Sequence, residues 1–298
     1  MTGRIEATHP RPQKDPRADG PALGDPVPVQ HLVRCPRFDE TSSSSGRHHS
    51  RAMWDHDPRG CQDGRVSDTR ALLFDVFGTL MDWRGSLLDE AADLGARAGV
   101  GADWAAVVDD WRRAYQPALD RVRARSGWRD LDALQRETLT EVLRRHGVAL
   151  PAEERETLVA AWRRLRPWPD TRAGLERLRS GFRTATLSNG HVALLVDLFR
   201  FADLRVDAIL SAQLADSYKP DPRTYLRGAE LLGCEPGQTA MVAAHGGDLL
   251  AAARVGLRPI FVRRPEEWGP GGGEEPPTGL PGLVVADGLE HLADLLGC

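Results

Sequence analysis

The chain has 298 residues, 41% of them apolar and 28% charged, with a formal net charge of −4. These are ordinary values for a globular protein, and the length suffices for one large or two small domains. The weak negative charge gives no argument for a nucleic-acid or anionic-membrane partner. No run approaches the ~18 apolar residues of a membrane span, and no apolar core of a secretory signal opens the chain. Cys35, Cys61, Cys234 and Cys298 have neither C-x-x-C spacing nor a paired pattern. They read as free thiols of a reducing cytoplasm, not as a disulfide frame or a zinc site. The expectation is a cytoplasmic protein with no metal and no other cofactor. Of 39 basic residues only Lys14 and Lys219 are lysine, and Asn189 is the sole asparagine. In a chain drifted this far toward arginine, the exceptions invite a chemical explanation.

Residues 1–69 hold 8 of the 21 prolines, 5 of the 9 histidines and the run Ser42–Ser45. Their apolar residues follow no helical or strand period, which predicts a disordered N-terminal extension. A true start at Met53 or a later codon is an equal alternative. His48, His49 and His56 lack the fixed spacing of a metal tract. Near Arg70 the character changes. Ala71-Leu72-Leu73-Phe74 is a short apolar run ending in Asp75, then Gly78 and Thr79. This predicts a buried parallel strand that delivers a carboxylate into a glycine turn.

Residues 85–165 read as about four helices with almost no strand signal. Over 103–124, Trp104, Val107, Val108, Trp111, Tyr115, Ala118 and Val122 recur at helical spacing. Two further amphipathic helices are expected near 130–146 and 152–165, and Pro167 and Pro169 close the segment. From 171 onward the elements alternate. Helices are predicted at Leu175–Arg179, Val192–Phe199, Pro222–Leu232, Leu249–Val255 and Leu289–Leu296. Strands are predicted at Phe182–Leu187, Ala208–Leu210, Thr239–Ala244, Pro259–Val262 and Leu283–Ala286. Such alternation implies an α/β fold, a doubly wound Rossmann-like parallel sheet with an inserted helical cap domain. The expected division is an extension over 1–69, a core over 70–84 and 166–298, and a cap over 85–165.

In such sheets ligands bind beyond the carboxyl ends of the strands, and polar groups gather there. Asp75 and Thr79 follow the first strand, and Ser188-Asn189-Gly190 the second. Lys219-Pro220-Asp221 precedes a helix, and Asp248 follows another strand in Ala243-Ala244-His245-Gly246-Gly247-Asp248. The ordered set of Asp, Ser, Lys and Asp resembles the haloacid dehalogenase superfamily. Asp75-Val76-Phe77-Gly78-Thr79-Leu80 stands as its first motif, and the resemblance covers about 70–298. A phosphatase of that superfamily needs an acid two residues after the nucleophile, and Phe77 stands there instead. An aromatic residue at that position is similar to the (S)-2-haloacid dehalogenase type. Leu187-Ser188-Asn189-Gly190, Lys219-Pro220-Asp221-Pro222-Arg223-Thr224-Tyr225 and Trp111-Arg112-Arg113-Ala114-Tyr115-Gln116 carry the same likeness.

The resemblance implies hydrolysis of short (S)-2-haloalkanoic acids to (R)-2-hydroxyalkanoic acids, without metal. Asp75 would displace halide and form an aspartyl ester, and Lys219 would set a cation beside it. Ser188 and Asn189 would hold the substrate carboxylate, or simply cap the next helix. Val76 and Phe77 would border the substrate. Thr79 would hydrogen-bond the Asp75 region, or be a turn hydroxyl. Arg112 would receive the halide, with Arg84 its main rival and Arg113 directed elsewhere. Tyr225 would partner Lys219 or Asp75, or pack in the core. Asp248 would orient water or fix Lys219, or cap a helix starting at Leu249. His245 departs from the usual asparagine; it would position the hydrolytic water, or satisfy a backbone group. The readings left open are a superfamily phosphatase and a degenerate member that only binds a carboxylate. Homodimers are common in the resembled family, but no interface is assigned. The preferred halogen and chain length are not legible.

Overall fold

The apolar run after Arg70 forms β1 (Ala71–Phe74), and all four of its side chains are buried. β1 lies inside a five-stranded sheet with β4 (Arg183–Thr186), β5 (Thr239–Ala243), β6 (Arg258–Val262) and β7 (Val284–Ala286). The order is β4-β1-β5-β6-β7 and every pairing is parallel. A parallel strand with neighbours on both sides and helices on both faces has no solvated face, so it reads as a continuous apolar run. This computed structural model describes residues 68–125 and 128–298, within the unit Asp57–Cys298. The expectations for the N-terminal extension, residues 68 and 69 apart, lie outside the described residues. They include the alternative start at Met53, Lys14, Cys35, Cys61 and the histidines His48, His49 and His56.

Strand periodicity divides the interior in two. Leu72 and Phe74 join one apolar cluster with α5 (Thr171–Gly181), α6 (Val192–Phe201) and α9 (Leu289–Leu295). Leu73 points the other way, into a cluster with α7 (Pro222–Leu231) and α8 (Gly246–Arg254). Successive residues of a strand face opposite sides, so one four-residue strand seeds both cores. The chain winds to β4 on one side of β1 and to β5 on the other. Beside β1 the strand order therefore reverses, and the carboxyl ends of β1, β4 and β5 diverge around a crevice.

The helical insertion comprises α1 (Trp83–Ala98), α2 (Trp104–Arg123), α3 (Leu131–Arg145) and α4 (Ala152–Ala160). Its two ends are tied by a feature the sequence does not announce. β2 (Met81–Asp82) pairs antiparallel with β3 (Arg166–Pro167). Asp82 also accepts the Gly85 N–H at 2.8 Å and so caps α1, which starts two residues before the expected boundary at 85. The α2 and α3 helices are joined by the Trp111 indole, which donates to the Gln135 carbonyl at 3.1 Å.

Two other expectations change. Ala208–Leu210 makes only an isolated bridge, Ala185 to Ala208. The Thr186 hydroxyl takes over the next ladder positions, donating to Leu210 O at 2.7 Å and accepting Leu210 N–H at 2.9 Å. The helix expected at Leu249 begins at Gly246, which moves Asp248 off the cap position. Among the described residues, no helix is long and apolar enough to cross a membrane, and Cys234 and Cys298 are free thiols.

The packing of α5 on α9 rests on Gly174. A Cβ there would lie 2.4 Å from Leu289 Cβ and 2.7 Å from Leu289 C. Alanine favours a helix over glycine by about 1 kcal/mol, but forced overpacking costs about 1–3 kcal/mol. The backbone half of this contact cannot rotate away, so the clash should win. Gly174→Ala is expected to lower the urea midpoint at unchanged slope, and a raised midpoint would show that α9 yields freely.

Candidate active site

The β1 strand ends by projecting Asp75 into the crevice, its N–H fixed on Val242 O at 2.9 Å. Asp75 is 8% exposed, and both its carboxylate oxygens are engaged. Oδ1 accepts from Lys219 Nζ at 2.9 Å, and Oδ2 accepts from Thr79 Oγ1 at 2.8 Å. His245 Nδ1 lies 3.2 Å from the same Oδ2. Burial alone would raise this carboxyl's pKa. The Lys219 charge and then the His245 bond outweigh burial and hold it well below the ordinary carboxylate range. The surroundings of Asp75 therefore favour its anion.

Lys219 is 6% exposed. Its ammonium bridges two carboxylates, reaching Asp248 Oδ2 at 2.6 Å as well as Asp75. Burial would strip its proton, but the charges of Asp248 and Asp75 raise its pKa instead. Its backbone N–H donates to Asn189 Oδ1 at 2.7 Å, so the loop after β4 sets the position of the lysine. Asp248 lies in the first turn of α8, and the Tyr225 hydroxyl donates to its Oδ1 at 2.6 Å. Burial, with the nearby Asp75 charge, shifts Asp248 upward despite Lys219. Burial and then Asp248 raise the Tyr225 phenol, which stays a donor.

A cavity of about 480 Å³ opens over these groups. It is lined by Asp75, Phe77, Ser188, Asn189, Lys219, Tyr225, His245 and Asp248 from the sheet side. Arg112, Arg113, Tyr115 and Gln116 of α2 line it from the helical layer. Ser188 Oγ accepts the Gly190 N–H at 3.1 Å, and a hydroxyl that accepts can still donate. Arg112 stacks over Tyr115 at 4.7 Å and Trp83 at 5.4 Å, and its Nε is buried without a hydrogen-bond partner. Phe77 sits edge-on to Trp162, ring centroids 5.2 Å apart.

The structure brings nine of the eleven expected site residues to this cavity: Asp75, Lys219, Arg112, Asp248, Phe77, Ser188, Asn189, Tyr225 and His245. Val76 and Thr79 are fully buried and do not line it. Thr79 acts from behind, since it holds Asp75 and also accepts the Ala244 N–H at 2.9 Å. Asp248 is inside α8, not its cap. Arg113, expected to point away, reaches the rim, where it pairs with Asp110 at 3.1 Å and stacks on Trp268. Arg84 does not line the cavity; it is held by Asp109 at 2.7 and 3.1 Å. Among the described residues no cluster of three or more His, Cys, Asp or Glu is arranged to hold a metal ion.

Sequence reasoning missed Glu267. It is 1% exposed in the loop after β6, and it accepts the Trp83 indole N–H at 2.9 Å. His245 Nε2 lies 2.9 and 3.1 Å from its two oxygens. The His245 charge offsets burial and lowers the Glu267 pKa. His245, between Glu267 and Asp75, is raised well above the ordinary imidazole value although burial opposes this. Gly78, at φ +90°, makes room, since a Cβ there would lie 2.2 Å from Glu267 Oε1. The one sequence signal for Glu267 is a position beyond the carboxyl end of the parallel strand β6, which does not separate it from Glu266.

A family model described as haloacid dehalogenase-like hydrolase matches residues 69–256. (S)-2-Haloacid dehalogenase 4A of Burkholderia cepacia is 30% identical over 203 residues, 67% of this chain and 85% of that protein. Among solved structures, a defluorinating L-2-haloacid dehalogenase is 38% identical with a TM-score of 0.73, over 77% of this chain and 96% of that one. Another L-2-haloacid dehalogenase is 40% identical with a TM-score of 0.71, over 76% and 99%.

Thr79→Val tests the support behind the carboxylate. It keeps the volume but strands the buried Ala244 N–H and removes one donor to Asp75. The expected cost is about 1–3 kcal/mol in denaturant unfolding, and no loss would mean that both groups find other partners.

Proposed function

The chain belongs to the haloacid dehalogenase-like hydrolase family, and we propose that it works as an (S)-2-haloacid dehalogenase through an ester on Asp75. The observation that carries this reading is a carboxylate held ionised at the floor of a cavity whose opposite wall presents the Arg112 cation. The core segments 70–84 and 166–298 supply the nucleophile and fixed charges, and the cap segment 85–165 supplies Arg112. Relatives named (S)-2- or L-2-haloacid dehalogenases, at 30–40% identity, support the substrate class.

An ionised carboxylate needs no base to attack carbon. The substrate carboxylate is held by the Ser188 hydroxyl and the Asn189 amide nitrogen, whose oxygen is already used by Lys219. An Asp75 oxygen attacks C2 from the face opposite the halogen, so that carbon inverts. Halide leaves toward Arg112, whose buried Nε lacks a protein acceptor. The ester is then hydrolysed at its acyl carbon, giving an (R)-2-hydroxy acid. Lys219 keeps Asp75 anionic and gathers the anionic substrate. Asp248 and Tyr225 hold that lysine in place.

Metal independence has two supports. The Lys219 ammonium already engages an oxygen of each of Asp75 and Asp248. Position 77 carries Phe77, which offers neither a metal ligand nor the acid that phosphoryl transfer requires. A cytoplasmic location fits the unpaired thiols Cys234 and Cys298.

With EDTA present, (S)-2-chloropropionate is expected to yield chloride and (R)-2-hydroxypropionate. Arg112→Ala is expected to lower kcat/KM about 10²–10³-fold, the scale of losing one preorganised charge-stabilising group. Arg84→Ala should lower kcat/KM far less, since Arg84 is held by Asp109 and does not line the cavity. Absence of chloride release would refute the dehalogenase reading, and the reverse order of the two variants would move the halide site to Arg84.

A further inference from the structure

His245 is held between two carboxylates. Nδ1 faces Asp75 Oδ2 at 3.2 Å, and Nε2 faces Glu267 Oε1 at 2.9 Å. A bare ring nitrogen against a carboxylate would set lone pair against lone pair. In the resting site both nitrogens therefore carry protons and the ring is an imidazolium. Its upward pKa shift has the same origin, the Glu267 charge first and then Asp75. Glu267 is itself fixed by the Trp83 indole N–H at 2.9 Å. The other charged groups around the ring are Lys219 on Asp75, Asp248 beyond it, Arg112 acting on Glu267, and Glu274, which accepts the Gly246 N–H at 2.8 Å.

We propose that Glu267 and His245 form a carboxylate–imidazole dyad, the general base for hydrolysis of the Asp75 ester, and that ester formation itself switches the dyad on. The inference rests on the reading of Asp75 as the ester-forming nucleophile. Esterification removes the Asp75 charge, so Nδ1 no longer faces an anion while Nε2–H stays on Glu267. The Nδ1 proton leaves, and a lone pair is exposed beside the acyl carbon. His245 is the catalytic residue here, and Glu267 positions it and selects its tautomer.

The steps balance. An Asp75 oxygen bonds to C2 while the carbon–halogen bond breaks, and halide departs with the electron pair. The Nδ1 proton passes to solvent. Water then adds to the acyl carbon and gives one proton to Nδ1. The bond from acyl carbon to product oxygen breaks, the product oxygen takes the water's other proton, and the carboxylate and imidazolium are restored. The sum is haloacid plus water giving hydroxy acid, halide and one proton, and that proton leaves with the halide.

A single turnover with excess full-length enzyme and (S)-2-chloropropionate tests this by following chloride, protons (indicator dye), hydroxy acid and intact-protein mass. In the parent enzyme the proton should appear with chloride, ahead of hydroxy acid. His245→Gln should slow hydroxy-acid formation about 10²–10⁴-fold, the scale of a lost general base. It should accumulate the ester adduct and shift the proton to the hydroxy-acid step. Glu267→Gln should also accumulate adduct, with hydrolysis slowed by up to about 10⁴-fold, the cost of replacing a catalytic histidine's orienting carboxylate by its amide. The adduct itself reports a folded site able to perform the first step. Proton release with hydroxy acid in the parent, or parental hydrolysis rates in both variants, would overturn the dyad. So would chloride and hydroxy acid falling together in the variants without adduct. A parent enzyme that releases no chloride would instead overturn the underlying dehalogenase reading.

Discussion

The site depends on one buried ammonium shared by two carboxylates. Lys219 spans Asp75 at 2.9 Å and Asp248 at 2.6 Å with almost no access to water. An isolated ion at that depth would cost several kcal/mol. The two anions, the Tyr225 hydroxyl on Asp248 and the Asn189 oxygen on the lysine backbone make the arrangement tenable. Each partner comes from a different strand end or helix start, and the reversal of strand order beside β1 brings them together. The compact ammonium suits a gap between two carboxylates that a planar guanidinium fork would not. That accounts for a lysine here in a chain with 39 basic residues and one other lysine.

Labour is divided between the two layers. The sheet side holds the proposed nucleophile Asp75 and its fixed partners, while α2 brings Arg112 over the cavity on a platform of Tyr115 and Trp83. Trp83 stands where the insertion begins, just after β2, and its indole N–H reaches Glu267 on the sheet side. One side chain thus contacts both the proposed halide cation and the carboxylate that positions the proposed base. The β2–β3 pair ties the two crossings between layers, so the insertion approaches the site from a fixed origin.

Much of this was legible in the sequence because the signals were local. β1 announces itself as an apolar run ending in Asp75, and α2 by its helical period. The site motifs lie where parallel strands end. What was not legible came from non-local geometry. Thr186 replaces a strand ladder by its hydroxyl, which no propensity reveals. The α8 helix starts at Gly246, three residues before the expected Leu249, so the Lys219 contact expected of Asp248 is present and its alternative, the cap, is not. Glu267 stands in an irregular loop beside the equally charged Glu266, and only the fold shows which one is buried. Val76 and Thr79 carry the family motif, yet they build the turn and brace the carboxylate without reaching the cavity.

In the proposed mechanism Asp75 becomes an ester whose acyl carbon water then attacks. Excess enzyme turned over once in ¹⁸O-water, followed by peptide mass analysis, tests it most directly. The label is expected in Asp75, with unlabelled oxygen in the hydroxy acid. Label in the hydroxy acid, with none in Asp75, would mean that water attacks the substrate carbon directly and would contradict it.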